Sequence, residues 1–274
     1  MPAKPTLFSK SSKAMSNFKL TLAANGARRQ KSDHRLLPIT PDETAATAAR
    51  CFAAGAHEIH LHVRDKAGRH SLDAGRYREA IAAVTTAAPG MAIQITTESA
   101  GMFTVADQYA CLSELRPVAA SVSIREMAAD PAIAAKLYAL ADEAGTRIQH
   151  ILYGPTCLAQ LEEWQCHKTI PRHMTDVILV LGQYSPPVIA QPDMLGKFSA
   201  VTGGDKYRWT ACAFGQHESD CLLAALKMGG NVRLGFENNI QRPDGTIAQD
   251  NESLVADFVS IAADSGYSLW PNLA

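Results

Sequence analysis

Between residue 19 and residue 264 the sequence alternates short β-rich runs with alanine-rich helical stretches eight times over. That alternation leaves two architectures open, a parallel sheet closed into a (β/α)8 TIM barrel or an open doubly wound sheet. The predicted strands are 19–24, 58–63, 92–97, 118–124, 147–152, 176–181, 207–211 and 231–234. The predicted helices are 41–54, 73–87, 105–115, 131–144, 156–164, 192–201, 217–229 and 250–264. Two carry strong start signals, Thr40 before Pro41 and Asp130 before Pro131, where proline occupies the first turn without losing a hydrogen bond. After the first strand, Ala24-Asn25-Gly26-Ala27 holds one glycine where a dinucleotide-binding loop needs three. The closed barrel is therefore the expected α/β fold.

A chain of 274 residues, 47% of them hydrophobic, has ample material for one barrel core. Residues 18–274 are expected to form a single catalytic domain behind a disordered leader, 1–17, that carries Lys4, Lys10 and Lys13 and no acid. A formal net charge of -1 gives no general attraction to nucleic acid or to an anionic membrane. No apolar run approaches the roughly 18 to 20 residues that span a bilayer. Six cysteines without a C-x-x-C pair fit reduced thiols and a cytoplasmic location.

The second predicted strand ends in His60-Leu61-His62-Val63-Arg64-Asp65. Side chains on a strand alternate between faces, so His60 and His62 share one face and can grip a single cation. A third ligand is available in Glu237, which follows the last strand in Val232-Arg233-Leu234-Gly235-Phe236-Glu237-Asn238-Asn239. Barrel closure makes strand eight a neighbour of strand one, which adjoins strand two, so the three side chains stand within roughly 10 Å of backbone separation. Two histidines and one carboxylate leave a coordination position open, as in a catalytic zinc site. Other polar groups fall at the same ends of their strands: Thr96, Thr97, Glu98 and Ser99; Ser121, Ser123, Arg125 and Glu126; Gln149 and His150. Of these, Thr97, Ser123 and Gln149 are candidate substrate contacts. Arg233, inside a strand, needs a carboxylate or an anionic ligand to justify burial.

These residues resemble the β-keto acid cleavage enzymes. The resemblance runs from Lys19 to about Ala263 and rests on Leu37-Pro38-Ile39-Thr40-Pro41-Asp42-Glu43, the His60 block, Ile93-Gln94-Ile95-Thr96-Thr97 and the Arg233 block. It implies a zinc-dependent barrel, usually a homotetramer, that condenses a β-keto acid with a CoA thioester, usually acetyl-CoA, to give acetoacetate and a new acyl-CoA. His60, His62 and Glu237 would bind zinc, Arg233 would be the arginine of a proton-abstracting dyad, and Thr96 would stand where the family often has serine. Asn238 departs from the pattern, since its place is commonly held by aspartate and an amide cannot act as a base. The segment Ser121–Glu126 also lacks the family's Asn-x-Gly-Ser/Thr, and Glu126, at the hydroxyl residue's place, becomes a candidate base. Arg28 and Arg29 follow the first strand, where the aminohexanoate-cleaving type has an acid. They either read an anionic or strongly polar end of the substrate or are solvated loop residues.

Three other functions compete. An amidohydrolase-type hydrolase also uses His-x-His in a barrel but needs further histidines on strands five and six, and only His150 fits. A CoA-ester lyase would place its His-x-His late in the chain. Asn238 keeps a catalytically silent binding barrel in play.

Overall fold

The computed structural model describes residues 16–184 and 186–271. Eight parallel strands close into a barrel: β1 (Leu20–Ala23), β2 (Glu58–Leu61), β3 (Ala92–Thr96), β4 (Ala119–Ser123), β5 (Arg147–Leu152), β6 (Asp176–Leu181), β7 (Arg208–Ala213) and β8 (Asn231–Leu234). β8 pairs with β1 in the register Val232↔Leu20 and Arg233↔Thr21, and β1 pairs with β2 through Ala23↔His60. The strand that carries the last expected ligand is thus two places from the strand that carries the first.

Around the barrel run α1 (Pro41–Ala53), α2 (Ala74–Ala87), α3 (Val105–Leu115), α4 (Pro131–Ala144), α5 (Pro155–Cys166), α6 (Glu218–Lys227) and α7 (Asn251–Asp264). Their starts are written in the sequence. Thr40 accepts from Glu43 N while the Glu43 side chain returns to the Thr40 N–H, and Asp130 accepts from Ile133 N.

Side chains divide by strand alternation. Leu20, Leu22, Ile59, Leu61, Ile95, Val122, Leu179 and Leu234 belong to the large core between sheet and helices. The barrel interior is split. Ile151, Ile178, Val180 and Cys212 form a separate apolar cluster on the β5–β7 side. One layer below, toward the strand N-termini, the interior is polar, and Gln94 donates to Gln149 Oε1 at 3.1 Å while Gln149 donates to Thr210 Oγ1 at 3.4 Å. These three come from β3, β5 and β7, the alternate-strand layering of a filled barrel.

The structure departs from the sequence expectations in four places. The second strand stops at Leu61, and Val63–Arg64 turns back in an antiparallel pair with His70–Ser71. The Asp65 carboxylate folds that turn by accepting from Ala67 N and Arg69 N. The expected helix 192–201 is instead a 3-10 segment, Pro192–Phe198, continued by the single turn Ser199–Thr202 and ended at Gly203-Gly204. Strand β7 runs to Ala213, two residues beyond the predicted end. Finally, Ser16 and Asn17, assigned by sequence to a disordered leader, lie in the strand Ser16–Phe18, which pairs with Tyr267–Leu269. Residues 1–15 of that leader lie outside the described residues.

Candidate metal and substrate site

His60 is the penultimate residue of its strand, and its Nδ1–H donates to Gln94 Oε1 at 2.8 Å on the paired strand β3. That bond fixes the ring and leaves the Nε2 lone pair facing the barrel mouth. His62 Nε2 stands 3.2 Å from His60 Nε2. Glu237 Oε2 lies 3.7 Å from His60 Nε2 and 3.5 Å from His62 Nε2, and among the described residues it has no hydrogen-bond donor. Donor atoms that share a tetrahedral zinc at about 2.0–2.2 Å stand roughly 3.3–3.6 Å apart. The three separations bracket that spacing, and a buried carboxylate oxygen without a donor is what a cation would satisfy.

Protonation agrees. Burial, then the nearby Arg233 charge, holds His60 down to about 3, and burial lowers His62 to about 4 despite Glu237. Both rings are neutral at pH 7 and free to ligate. Burial opposes ionisation of Glu237, but the Arg233 guanidinium, followed by the two imidazoles, keeps its carboxyl far below the usual range.

Arg233 finds the carboxylate its burial requires: Nη2 donates to Glu237 Oε1 at 3.1 Å, and also faces Cys212 Sγ at 3.5 Å. One Glu237 oxygen is held by the arginine and the other faces the histidines. Two glycines make room. Gly26 (φ +64°) lies where a Cβ would sit 2.5 Å from Glu237 Cγ, and Gly235 (φ +136°) where one would meet Ala23 O at 2.5 Å. The Glu237 N–H donates to Ala23 O, and Asn251 links the two loops by accepting from Phe236 N and donating to Ala24 O.

The mouth opens into a cavity of about 310 Å3. Its charged side carries His60, Glu98, Glu126, Arg233, Glu237 and the rim residues Arg28 and Arg125. Its apolar side carries Ile151, Tyr153, Val180, Tyr184 and Phe214, and Thr96 reaches it from β3. A larger cavity, about 920 Å3, opens at the opposite end of the barrel among Lys19, Glu58, Arg147 and Arg208, away from the histidines and Glu237.

Several expected site residues are elsewhere. Gln149 lies below the mouth, bridging Gln94 and Thr210, so it buttresses His60 at one remove instead of facing substrate. Thr97 Oγ1 donates to Ser121 O, and Ser123 caps the short helix Ile124–Met127; neither lines the mouth cavity. Asn238 is 1% exposed, with no partner among the described residues for either side-chain polar atom and no bond to Arg233. Glu126 lines the cavity, but Ser99 N, Ser99 Oγ and Gln108 Nε2 occupy both its oxygens, which ties the loop after β3 to the segment after β4. His150 bonds Met174 O and packs on Tyr138 in the outer layer, so the hydrolase arrangement of histidines is not assembled.

The sequence reading gave Glu98 and Arg64 no role. Glu98 Oε2 lies 3.9 Å from His62 Nε2, with 23% of the side chain exposed to the cavity. Burial, then repulsion from Glu237 and Glu126, raises its carboxyl to about 7. Its place just past the C-terminal end of a barrel strand was the available signal. Arg64 donates to the carbonyls of Gly26 (3.0 and 2.5 Å), Arg29 (3.0 Å) and Gly68 (2.8 Å), fastening the first loop to the hairpin that follows His62.

The beta-keto acid cleavage enzyme family model matches residues 18–270. Among curated relatives, the 3-keto-5-aminohexanoate cleavage enzyme of Fusobacterium nucleatum is 26% identical over 92% of this chain and 93% of its own length. A 3-oxoadipate:acetyl-CoA acetyltransferase of Cupriavidus necator is 22% identical over 90% of this chain and 89% of its own. Among solved structures, a ternary complex of ObcA with a C4-CoA adduct and oxalate superposes with a TM-score of 0.65 at 15% identity. It covers 86% of this chain, which spans 65% of that longer protein, and the likeness is one of fold.

Proposed function

The chain belongs to the β-keto acid cleavage enzyme family, and from that membership we propose that it condenses a β-keto acid with acetyl-CoA, using zinc, to give acetoacetate and a new acyl-CoA. The observation that carries the metal assignment is the spacing of His60 Nε2, His62 Nε2 and Glu237 Oε2, 3.2 to 3.7 Å apart with no donor on the carboxylate oxygen. When bound, the cation supplies a Lewis acid for the keto acid's ketone oxygen.

The remaining work belongs to side chains. Gln94 orients His60, and Arg233 keeps Glu237 ionised and turned toward the histidines. Glu98 takes the proton from the carbon between carboxylate and ketone. Its carboxylate faces the cavity beside His62 without a hydrogen-bond donor among the described residues, while Glu126 is already fully engaged by donors. The Ile151, Val180 and Phe214 wall excludes water as the carbanion attacks the acetyl thioester and displaces CoA thiolate; the thiolate then takes the original acyl group from the same carbon, and the acetoacetate carbanion so released recovers the proton from Glu98. The homotetramer is part of this proposal, checked by sedimentation. Among the described residues no helix is long and apolar enough to cross a membrane.

The test is a panel of β-keto acids with zinc-loaded protein, with and without acetyl-CoA, reading acetoacetate. Acetoacetate is expected only when both substrates are present. Product from keto acid and water alone would replace this reading with a hydrolase.

A further inference from the structure

Two guanidiniums at the cavity rim have no paired carboxylate among the described residues. Arg28 leaves the first loop exposed, and Arg125 lies with its guanidinium carbon 3.9 Å from the centroid of the Tyr153 ring. Neither makes an ion pair or a side-chain hydrogen bond among the described residues. The other charges that line the cavity are accounted for differently. Arg233 is paired with Glu237, and Glu126 keeps its charge but has both oxygens held by the uncharged donors of Ser99 and Gln108. Glu98 and Glu126 match the two rim cations in number without pairing with them, so the lining is near balance before any metal is counted. A divalent ion adds two charges, and the carboxylate of a β-keto acid removes one.

We infer that the preferred β-keto acid is a diacid whose distal carboxylate is held by Arg28 and Arg125. This rests on the proposed reaction and narrows it to a substrate class. The cavity, about 310 Å3, suits a short chain, and the Ile151 and Val180 wall takes the methylenes between the polar ends. Guanidinium groups bind carboxylates through paired N–H donors, and Tyr153 holds one in place beneath its plane. The competing source of negative charge is a phosphate of CoA. The pantetheine arm sets those phosphates far from the thioester, whereas both arginines line the same small cavity as His60 and Glu237.

The experiment compares 3-oxoadipate with 3-oxohexanoate, which has the same chain with a methyl group in place of the distal carboxylate. Wild-type protein, Arg28→Ala, Arg125→Ala and the double variant are assayed with acetyl-CoA. Keto-acid binding without acetyl-CoA is measured by calorimetry on zinc-loaded and metal-free protein. The wild type is expected to favour 3-oxoadipate by about 10- to 100-fold in kcat/KM, the worth of a charge-assisted contact. In the double variant that ratio falls toward one, and 3-oxoadipate binds correspondingly more weakly in both metal states. Equal use of the two acids by the wild type overturns the inference and leaves the family reaction intact. A rise in KM confined to acetyl-CoA also overturns it, assigning the arginines to the CoA phosphates. If neither acid is turned over, the proposed reaction has failed, and the calorimetric ratio decides the distal-carboxylate site alone.

Discussion

His60 and His62 point their Nε2 atoms at one another across 3.2 Å, although both imidazoles are neutral at pH 7. With Nδ1 of His60 donating to Gln94, two nitrogens converge where Glu237 Oε2 also arrives. His62→Ala should abolish stoichiometric zinc, and His60→Ala should weaken it by orders of magnitude. Elemental analysis after dialysis checks this, and a full complement of zinc in His62→Ala would contradict the ligand set.

The same burial predicts how metal-free stability depends on pH. His60, His62, His70 and His150 are held neutral in the fold, at about 3 to 4, so below the free value near 6.5 the unfolded chain binds protons that the native state does not. Glu98 and Glu218 act oppositely, since their raised carboxyls carry protons in the fold that the unfolded chain has lost above about 4.5. Four histidines against two glutamates leave the unfolded state ahead by about two protons between pH 4.5 and 6.5. Stability should therefore be present near neutrality and fall as the pH drops through that window. A melting temperature that is flat or rising from pH 6.5 to 5 would refute the balance.

Arg64 makes a separate, structural prediction. Replacing it with Met removes the donors to Gly26 O, Arg29 O and Gly68 O in a residue only 5% exposed. The loss should be about 2–4 kcal/mol, as for other buried charged donors removed from backbone acceptors. Urea unfolding measures it, and a change under about 0.5 kcal/mol would show the strap to be dispensable.

The barrel was legible because its evidence is repetitive: eight runs of the right period, with caps such as Thr40 and Asp130 at the helix starts. The metal triad was legible because His60 and His62 fall two apart on one strand and Glu237 follows a strand that closure must bring near. The inward layer was harder to place. Gln149 and Ser123 both sit on strands and read alike in sequence, yet one lies a layer below the mouth and the other caps a helix turn. Depth along a barrel depends on strand stagger, which one sequence does not display. The role of Glu98 was hidden for another reason, because its environment is made by Glu237 and Glu126, distant in the chain.

Glu98 and Glu126, the two glutamates at the mouth outside the metal triad, are separable by kinetics. Glu98→Gln should lower kcat by roughly 100-fold or more, the usual worth of a positioned base. Glu126→Gln can still meet some of the donors of Ser99 and Gln108, so its effect should be smaller and should appear in KM as the loop after β3 loosens. Full activity in Glu98→Gln beside a collapse in Glu126→Gln would return the base assignment to Glu126.

Asn238→Asp tests whether a family-like acid can be restored. The resemblance alone favours a faster enzyme, because aspartate commonly stands there. The structure argues the reverse. Asn238 is buried, its Nδ2 and Oδ1 have no partner, it makes no bond to Arg233, and it adjoins Glu237, whose negative charge already claims that guanidinium. A carboxylate placed there must either ionise without a counter-charge beside another carboxylate or remain protonated and useless as a base. The expected result is a loss of about 1–3 kcal/mol in stability at neutral pH, partly recovered as the pH falls and the new acid is neutralised, with no gain in turnover. Parallel melts at pH 5.5 and 7.5, read beside the acetoacetate assay, decide the matter. A variant as stable as wild type at pH 7.5 and faster than it would mean that the Asn238 side chain reaches the reacting carbon after all.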